Sequence, residues 1–410
     1  MSFLGLGKLF RKSSSSRREI TTPSQLAAAI GLSNISESGM TVSLETAMGV
    51  VSVLACARVY AKGTAQVPLK LFKPTPDGGK TAETTGLGRL LYRQPNKFQT
   101  AYRFRHMIGM HLALTGKFAA YVNRVGDEII ELLPVHPDLF EVEGTSWRPV
   151  YKMFLDGGWR QVPPEKVLYI QGDTMDGITT MPVTQYARDA IGLTMATDTH
   201  ASKFFQNGGA ASGHYTTDVE ELKETERQAL IDTLKEMEER QNSAFRKTIL
   251  WGGLKYEHTS YAPEQAQLKE IRDQQVEEIC RAFGVNPAMI GYQGGKTATF
   301  ASLEQLLIMH VVYTLGPWYE MIEQELDRQL LTDAQKDAGY EFKHVVQGLM
   351  RGAYKDRVAG MVQLRNAKII TANEARALED MNPIGGGGDI LWSPNDSDAT
   401  QQENTSGEPE

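Results

Sequence analysis

The chain has 410 residues, 41% of them hydrophobic and 23% charged, the balance of a soluble globular protein with two or three compact modules. A formal net charge of −7 argues against a protein that grips nucleic acid with a basic face, because backbone affinity comes from lysines and arginines neutralising phosphates. It is compatible with an acidic wall carrying sparse basic points, past which DNA slides.

Residues 1–40 have the composition of disorder: Ser13–Ser16 is flanked by Arg11, Lys12, Arg17 and Arg18, and no periodicity lasts. No sustained apolar run follows these charges, so a secretory leader is not expected, and the most apolar run, Leu306–Leu315, is too short to span a bilayer. Leu44–Lys62 reads as a helix, Val67–Lys73 alternates like a strand, and Pro74–Gly79 is a turn. Tyr102–Gly116 is a second helix. Lys117–Arg124 and Glu128–Pro134 form a hairpin around Gly126-Asp127. Val150–Leu155, Trp159–Val162 and Val167–Gln171 continue a β-rich block, a small antiparallel sheet or barrel.

A long helix over Pro182–Asn207 ends at Gly208-Gly209. A short strand near His214–Thr217, a strongly charged helix Val219–Arg240, and strands Thr248–Trp251 and Lys255–Thr259 then form a small α/β insertion. The helix that follows, Pro263–Phe283, places Leu268, Ile271, Val276, Ile279, Cys280 and Phe283 at three- and four-residue steps, and Gly284 suits its stop. Cys56 and Cys280 both fall in apolar helical patterns and read as small buried hydrophobes of a reducing compartment, with a disulfide between them the less favoured alternative. Leu303–Leu315 is apolar almost all round, so burial on more than one side is expected, and Gly316-Pro317 should kink the axis. Beyond Leu331 the pattern is helical again, with Thr371 and Glu374 spaced as a capping box and Asn382-Pro383 as the final stop. From Ser393 the tail is acidic and free of aromatics.

An enzyme has little support. The glycine loop from Ile290 to Thr299 looks like a phosphate cradle, but counting back five residues from Gly295 reaches Ile290, and a helix rather than a strand leads into it. Gly209-Ala-Ala-Ser-Gly213 misses the nucleophile-elbow spacing by one. His106 and His111 are five apart, and the two cysteines lack metal-ligand spacing. No catalytic residue, metal or cofactor is expected.

Several short motifs follow one another in order: Leu91-Tyr-Arg-Gln-Pro-Asn96, Leu114-Thr-Gly-Lys-Phe-Ala-Ala-Tyr121, Leu132-Leu-Pro-Val-His-Pro137 and Val167-Leu-Tyr-Ile170. They continue with Phe204-Phe-Gln-Asn-Gly208, Ile279-Cys-Arg-Ala-Phe-Gly-Val-Asn-Pro287, Thr314-Leu-Gly-Pro-Trp318 and Thr371-Ala-Asn-Glu-Ala-Arg376. With them the chain resembles the portal proteins of tailed double-stranded-DNA bacteriophages, in the shorter family of long-tailed phages with a lambda-like capsid fold. The resemblance covers residues 45–393. It departs at Gly116-Lys117, where the family commonly has glycine-asparagine, and in the long run Gly385–Gly388.

The resemblance implies an α+β subunit of a dodecameric ring at one capsid vertex. Residues 1–40 would be a basic arm, 41–181 a wing of helices and a small sheet, 182–208 and 263–284 the two stem helices, and 209–262 an α/β clip. The loop 285–300 would be the tunnel loop, 301–392 a kinked wing helix with a short helical crown, and 393–410 an acidic tail. Implied partners are double-stranded DNA in the channel, the terminase large subunit, a head–tail adaptor and the major capsid protein, with no membrane. The ring would be assembled in the host bacterial cytoplasm and end in the virion. Lys296 is the candidate DNA contact, with Gln293, Gly294, Gly295, Thr297 and Thr299 on the same loop; a solvated loop lysine is the alternative. Glu236 and Glu239 lie either on a solvated helix face or on a partner surface. Trp251 and Tyr256 are interface anchors or the core of the clip.

Overall fold

Helices and short strands alternate along the chain in an α+β arrangement, seen in a computed structural model that describes residues 34–75, 80–206, 213–217, 225, 228, 231–232, 254–258, 264–292, 300–346, 354–378, 381–385 and 387–391. In chain order the first elements are α1 (Leu44–Met48), α2 (Val51–Gln66), β1 (Leu69–Pro74), β2 (Lys80–Glu83), α3 (Gly86–Tyr92), α4 (Ala101–Thr115), β3 (Lys117–Val125) and β4 (Glu128–Val135). Next are β5 (Phe140–Thr145), β6 (Arg148–Leu155), β7 (Gly158–Val162), β8 (Val167–Gln171), α5 (Val183–Tyr186), α6 (Arg188–Gln206), β9 (Gly213–Thr217), β10 (Leu254–His258) and α7 (Glu264–Phe283). The last are α8 (Phe300–Met309), a π-turn (His310–Leu315), α9 (Gly316–Leu330), α10 (Asp333–Asp337), β11 (Glu341–His344), α11 (Tyr354–Asn366) and α12 (Ala372–Leu378). Two compact units result, one from Met1–Ala65 and Pro95–Thr297, the other from Gln66–Gln94 and Ala298–Glu410.

In the first unit, α2 buries Val53, Cys56, Ala57, Tyr60 and Ala61, a stripe of mostly small side chains. Small residues there let α4 cross closely: a Cβ on Gly109 would lie 2.6 Å from the Ala61 Cα. Thr100 caps α4 by accepting the Arg103 amide, and Gly116 ends it at a φ of 67°, a left-handed conformation that suits glycine. The buried Arg105 guanidinium donates to the Ala65 carbonyl at 2.9 Å, placing positive charge at a helix C-terminus. The expected single helix over Leu44–Lys62 is broken at Gly49-Val50 and restarts at Val51.

The hairpin around Gly126-Asp127 forms as expected, and β3 lies between β4 and β8 in an antiparallel sheet. The β block is neither one sheet nor a closed barrel. A second sheet, β5–β6–β7, includes a strand, Phe140–Thr145, that the sequence pattern did not mark. Phe140, Tyr151, Met153 and Val162 from it share a core with Ala119, Val167 and Tyr169 of the first sheet. The Phe140 and Tyr169 ring centroids are 5.2 Å apart.

In the second unit, β1 lies between β2 and β11, and α9 packs on β11. Residues beyond Leu331 were expected to be helical throughout; Glu341–His344 is instead an edge strand with Phe342 and His344 turned inward. Long-range partners override local preference here. The strand's outward amides meet two carboxylates of α9: the Phe342 N–H donates to Asp327 at 2.7 Å and the His344 N–H to Glu323 at 2.7 Å. Glu323 also accepts from Lys343 Nζ and pairs with His344 Nδ1, each at 2.8 Å, while the His344 ring stacks on Tyr319. An open edge is thereby covered by a helix.

The apolar stretch Leu303–Leu315 departs from expectation. Leu315 is buried, but Leu307, Ile308, Met309, Val312 and Tyr313 are exposed on the single chain. Nor is the break at Gly316-Pro317 a simple proline kink: the Gly316 N–H reaches back to the Val311 carbonyl, a five-residue step that widens the turn before the proline. The capping box at Thr371 forms, with the Thr371 amide on Glu374 Oε2 at 2.7 Å and the Glu374 amide on Thr371 Oγ1 at 3.1 Å.

Candidate functional site

Two long helices of the first unit, α6 and α7, stand antiparallel. Asp198 pairs with Arg272, the buried Gln275 donates to Thr197 Oγ1 at 3.2 Å, and Tyr186, just before α6, meets the far end of α7. The expected helix from Pro182 is interrupted at Ala187, so α6 proper starts at Arg188. Its first turn is anchored by the 34–41 segment, where the Glu37 amide donates to Asp189 at 3.0 Å. Among the described side chains of α7 the buried ones are Ile279, Cys280 and Phe283, all at predicted positions, together with Gln275. Ile271 is exposed. A polar glutamine facing inward gave no signal in the periodicity; its partner, a threonine on another helix, is what admits it.

The far end of α7 is locked. Gly284, at a φ of 65°, donates to the Arg281 carbonyl, and the Val285 amide reaches the Cys280 carbonyl at 2.9 Å, a two-bond C-terminal cap. Two tyrosines outside the helix take the carbonyls left over: Tyr60 Oη donates to Phe283 O at 2.6 Å and Tyr186 Oη to Ala282 O at 3.2 Å. Burial, with Asp173 nearby, pushes the Tyr186 hydroxyl up to about 12, and burial raises Tyr60 further, so both stay protonated donors. Tyr60 lies one turn after Cys56 on α2, and the Cys56 and Cys280 sulfurs are 3.8 Å apart. Neither tyrosine was legible as a site residue, since each needs a partner more than ninety positions away.

Beyond the lock, Asn286 Oδ1 accepts the Ala288 amide at 3.0 Å and caps a 3-10 turn, Pro287–Ile290. Gly291 then turns the chain at a φ of 82°, and burial, with Asp273 of α7, raises the Tyr292 hydroxyl. Gln293, Gly294, Gly295, Lys296, Thr297 and Thr299 lie outside the described residues, as do Glu236, Glu239 and Trp251. Tyr256 lies in β10, opposite Tyr215 of β9. Along Glu270–Arg281 the charged positions are Glu270, Asp273, Glu277 and Glu278 against Arg272 and Arg281, so this segment carries net negative charge. Among the described residues no group of acidic, histidine or cysteine side chains could hold a metal, and no helix is long and apolar enough to cross a membrane.

Residues 52–380 match the family model described as phage portal protein. The chain belongs to the phage portal protein family. A curated portal protein of Enterobacteria phage HK97 is 27% identical over 350 residues, 84% of this chain and 81% of that protein. A probable portal protein of Streptomyces phage phiC31 is 28% identical over 378 residues, 86% of this chain and 79% of the relative. Among solved structures, an HK97-family phage portal protein from Corynebacterium diphtheriae superposes with a TM-score of 0.57 at 17% identity, covering 76% of this chain and 98% of that one. A chain from the neck of a native gene transfer agent particle, computed with C12 symmetry, gives 0.54 at 19% identity, covering 87% and 99%. These neighbours share the fold. Portal proteins are structural proteins of the phage capsid vertex, where they form the channel.

Proposed function

We propose that copies of this chain form a ring whose central hole carries double-stranded DNA during packaging and ejection. One observation carries the reading: the antiparallel pair α6–α7 brackets an insertion at residues 207–263 and ends in a locked terminus from which the glycine loop departs. A fixed base with a glycine-flanked lysine beyond it suits a contact that follows a turning helical backbone. In a ring Lys296 repeats once per subunit and becomes a belt of point charges on phosphates. Gln293, Thr297 and Thr299 share that wall, and Gly294 and Gly295 give it reach. The acids of α7 keep DNA from adhering between such points.

In this reading residues 41–181 form the wing that meets the major capsid protein, α6 and α7 the stem, and 209–262 the clip. The clip receives the terminase large subunit and later the head–tail adaptor through Trp251, Tyr256, Glu236 and Glu239. Residues 301–392 add a wing helix and crown. Assembly takes place in the host cytoplasm, and no step is catalytic. Electron microscopy of the purified full chain tests this: a ring with a central hole and Lys296 on its inner wall is expected. A monomer, or Lys296 on the outer perimeter, overturns it. Lys296→Ala should leave the ring intact but change the length of genome packaged or retained; unchanged genome length and infectivity would remove Lys296 from the mechanism.

A further inference from the structure

We propose that Cys56 and Cys280 form an oxidative cross-linking site, in which a peroxide joins them into a disulfide that staples α2 to the end of α7. Both are free thiols, 0% and 1% exposed, and their sulfurs touch at 3.8 Å. A disulfide needs about 2.05 Å between sulfurs, so the remaining closure is within reach of side-chain rotation. The fold holds the approach in register. One turn further along each helix, Tyr60 Oη is fixed on Phe283 O at 2.6 Å, so two contacts a turn apart set the same pair of helices. On the other side of α2, the close crossing at Gly109 prevents the helix from sliding away.

The chemistry balances with hydrogen peroxide as oxidant. Cys280, whose ionisation is eased by its hydrogen bond from Cys56, attacks a peroxide oxygen as the thiolate; the O–O bond breaks, hydroxide leaves and takes up a proton, and a sulfenic acid forms. The Cys56 sulfur then attacks the Cys280 sulfur; the S–S bond forms, the S–O bond breaks, and hydroxide departs with the Cys56 proton as water. Two thiols lose two electrons in all, and one peroxide becomes two waters. Burial excludes bulky reagents and leaves the small oxidant as the one that enters. The product closes a loop between positions 224 apart and fixes the end of α7 covalently, at the base of the glycine loop.

The test uses the full chain in its assembled form, treated with hydrogen peroxide, then denatured in an alkylating reagent for intact mass and peptide mapping. Expected are the loss of two hydrogens, a cross-linked peptide joining Cys56 to Cys280 within one chain, and a melting temperature raised by about 5 °C that dithiothreitol reverses. Cys280→Ser and Cys56→Ala should each abolish both changes. The parent chain with and without dithiothreitol decides the matter if either variant fails to fold. Oxygen added to either cysteine without the cross-linked peptide, a cross-link between chains, or two thiols unchanged by peroxide overturns the proposal.

Discussion

A helix end and a strand edge in this molecule are secured by opposite means. In the first unit the carbonyl end of α7 is held by neutral donors, Tyr60 and Tyr186, whose hydroxyls burial keeps protonated. In the second unit α9 holds the edge strand β11 with two carboxylates, Glu323 and Asp327. Neutral hydrogen bonds are insensitive to pH across the physiological range, whereas a carboxylate with a raised pKa, here Asp327, couples the strand to protonation. The lock beneath the glycine loop is therefore the pH-indifferent one.

The comparison breaks most visibly at Glu323. Glu323→Ala removes the acceptor for His344 and Lys343 from a site 4% exposed, and should cost about 3 kcal/mol in denaturant unfolding. A smaller loss, about 1–2 kcal/mol, is expected for Tyr60→Phe, which leaves the Phe283 carbonyl without that donor; its size should not vary between pH 5 and 8.

Asp327 sharpens the contrast. Burial, aided by Glu341 and Glu323 and opposed by the Phe342 amide and Lys343, raises its carboxyl from 3.8 to about 6. A folded-state value above the unfolded one means its contribution is complete below about 3.8 and is lost as pH rises through about 6. The parent should therefore gain stability relative to Asp327→Asn as pH falls from 7 to 5, by about 1 kcal/mol once its partial exposure is discounted. Glu323 moves the other way: burial opposes ionisation, but hydrogen bonds from His344 and Lys343 win and hold it below the usual carboxylate range, so it stays charged across that window. The smallest effect belongs to Arg272→Ala. Its ion pair with Asp198 has both side chains about half exposed, and the change should stay within about 0.5 kcal/mol in the same unfolding assay.

Much of the fold was legible because it is local. The period of α7, its stop at Gly284, the hairpin at Gly126-Asp127 and the Thr371–Glu374 box are each written within a few residues. β11 was not legible, because four residues with a single apolar side chain among them acquire their strand only from β1 and from carboxylates on α9. The exposed face of Leu307, Ile308 and Val312 was misread because composition signals that a surface is to be covered without saying by what. For the site, the loop and its lysine lie outside the described residues; the tyrosines that hold the end of α7 are visible only once distant helices meet.

The π-turn at His310–Leu315 acts as a phase setter. It inserts the equivalent of one extra residue into an otherwise continuous helix, and each residue rotates the helix by about 100°. The azimuth at which Glu323 and Asp327 leave α9 is thus decided a full turn or more upstream. Deleting a single residue there would restore an ordinary ladder and swing both carboxylates off the strand they hold, with neither of them altered.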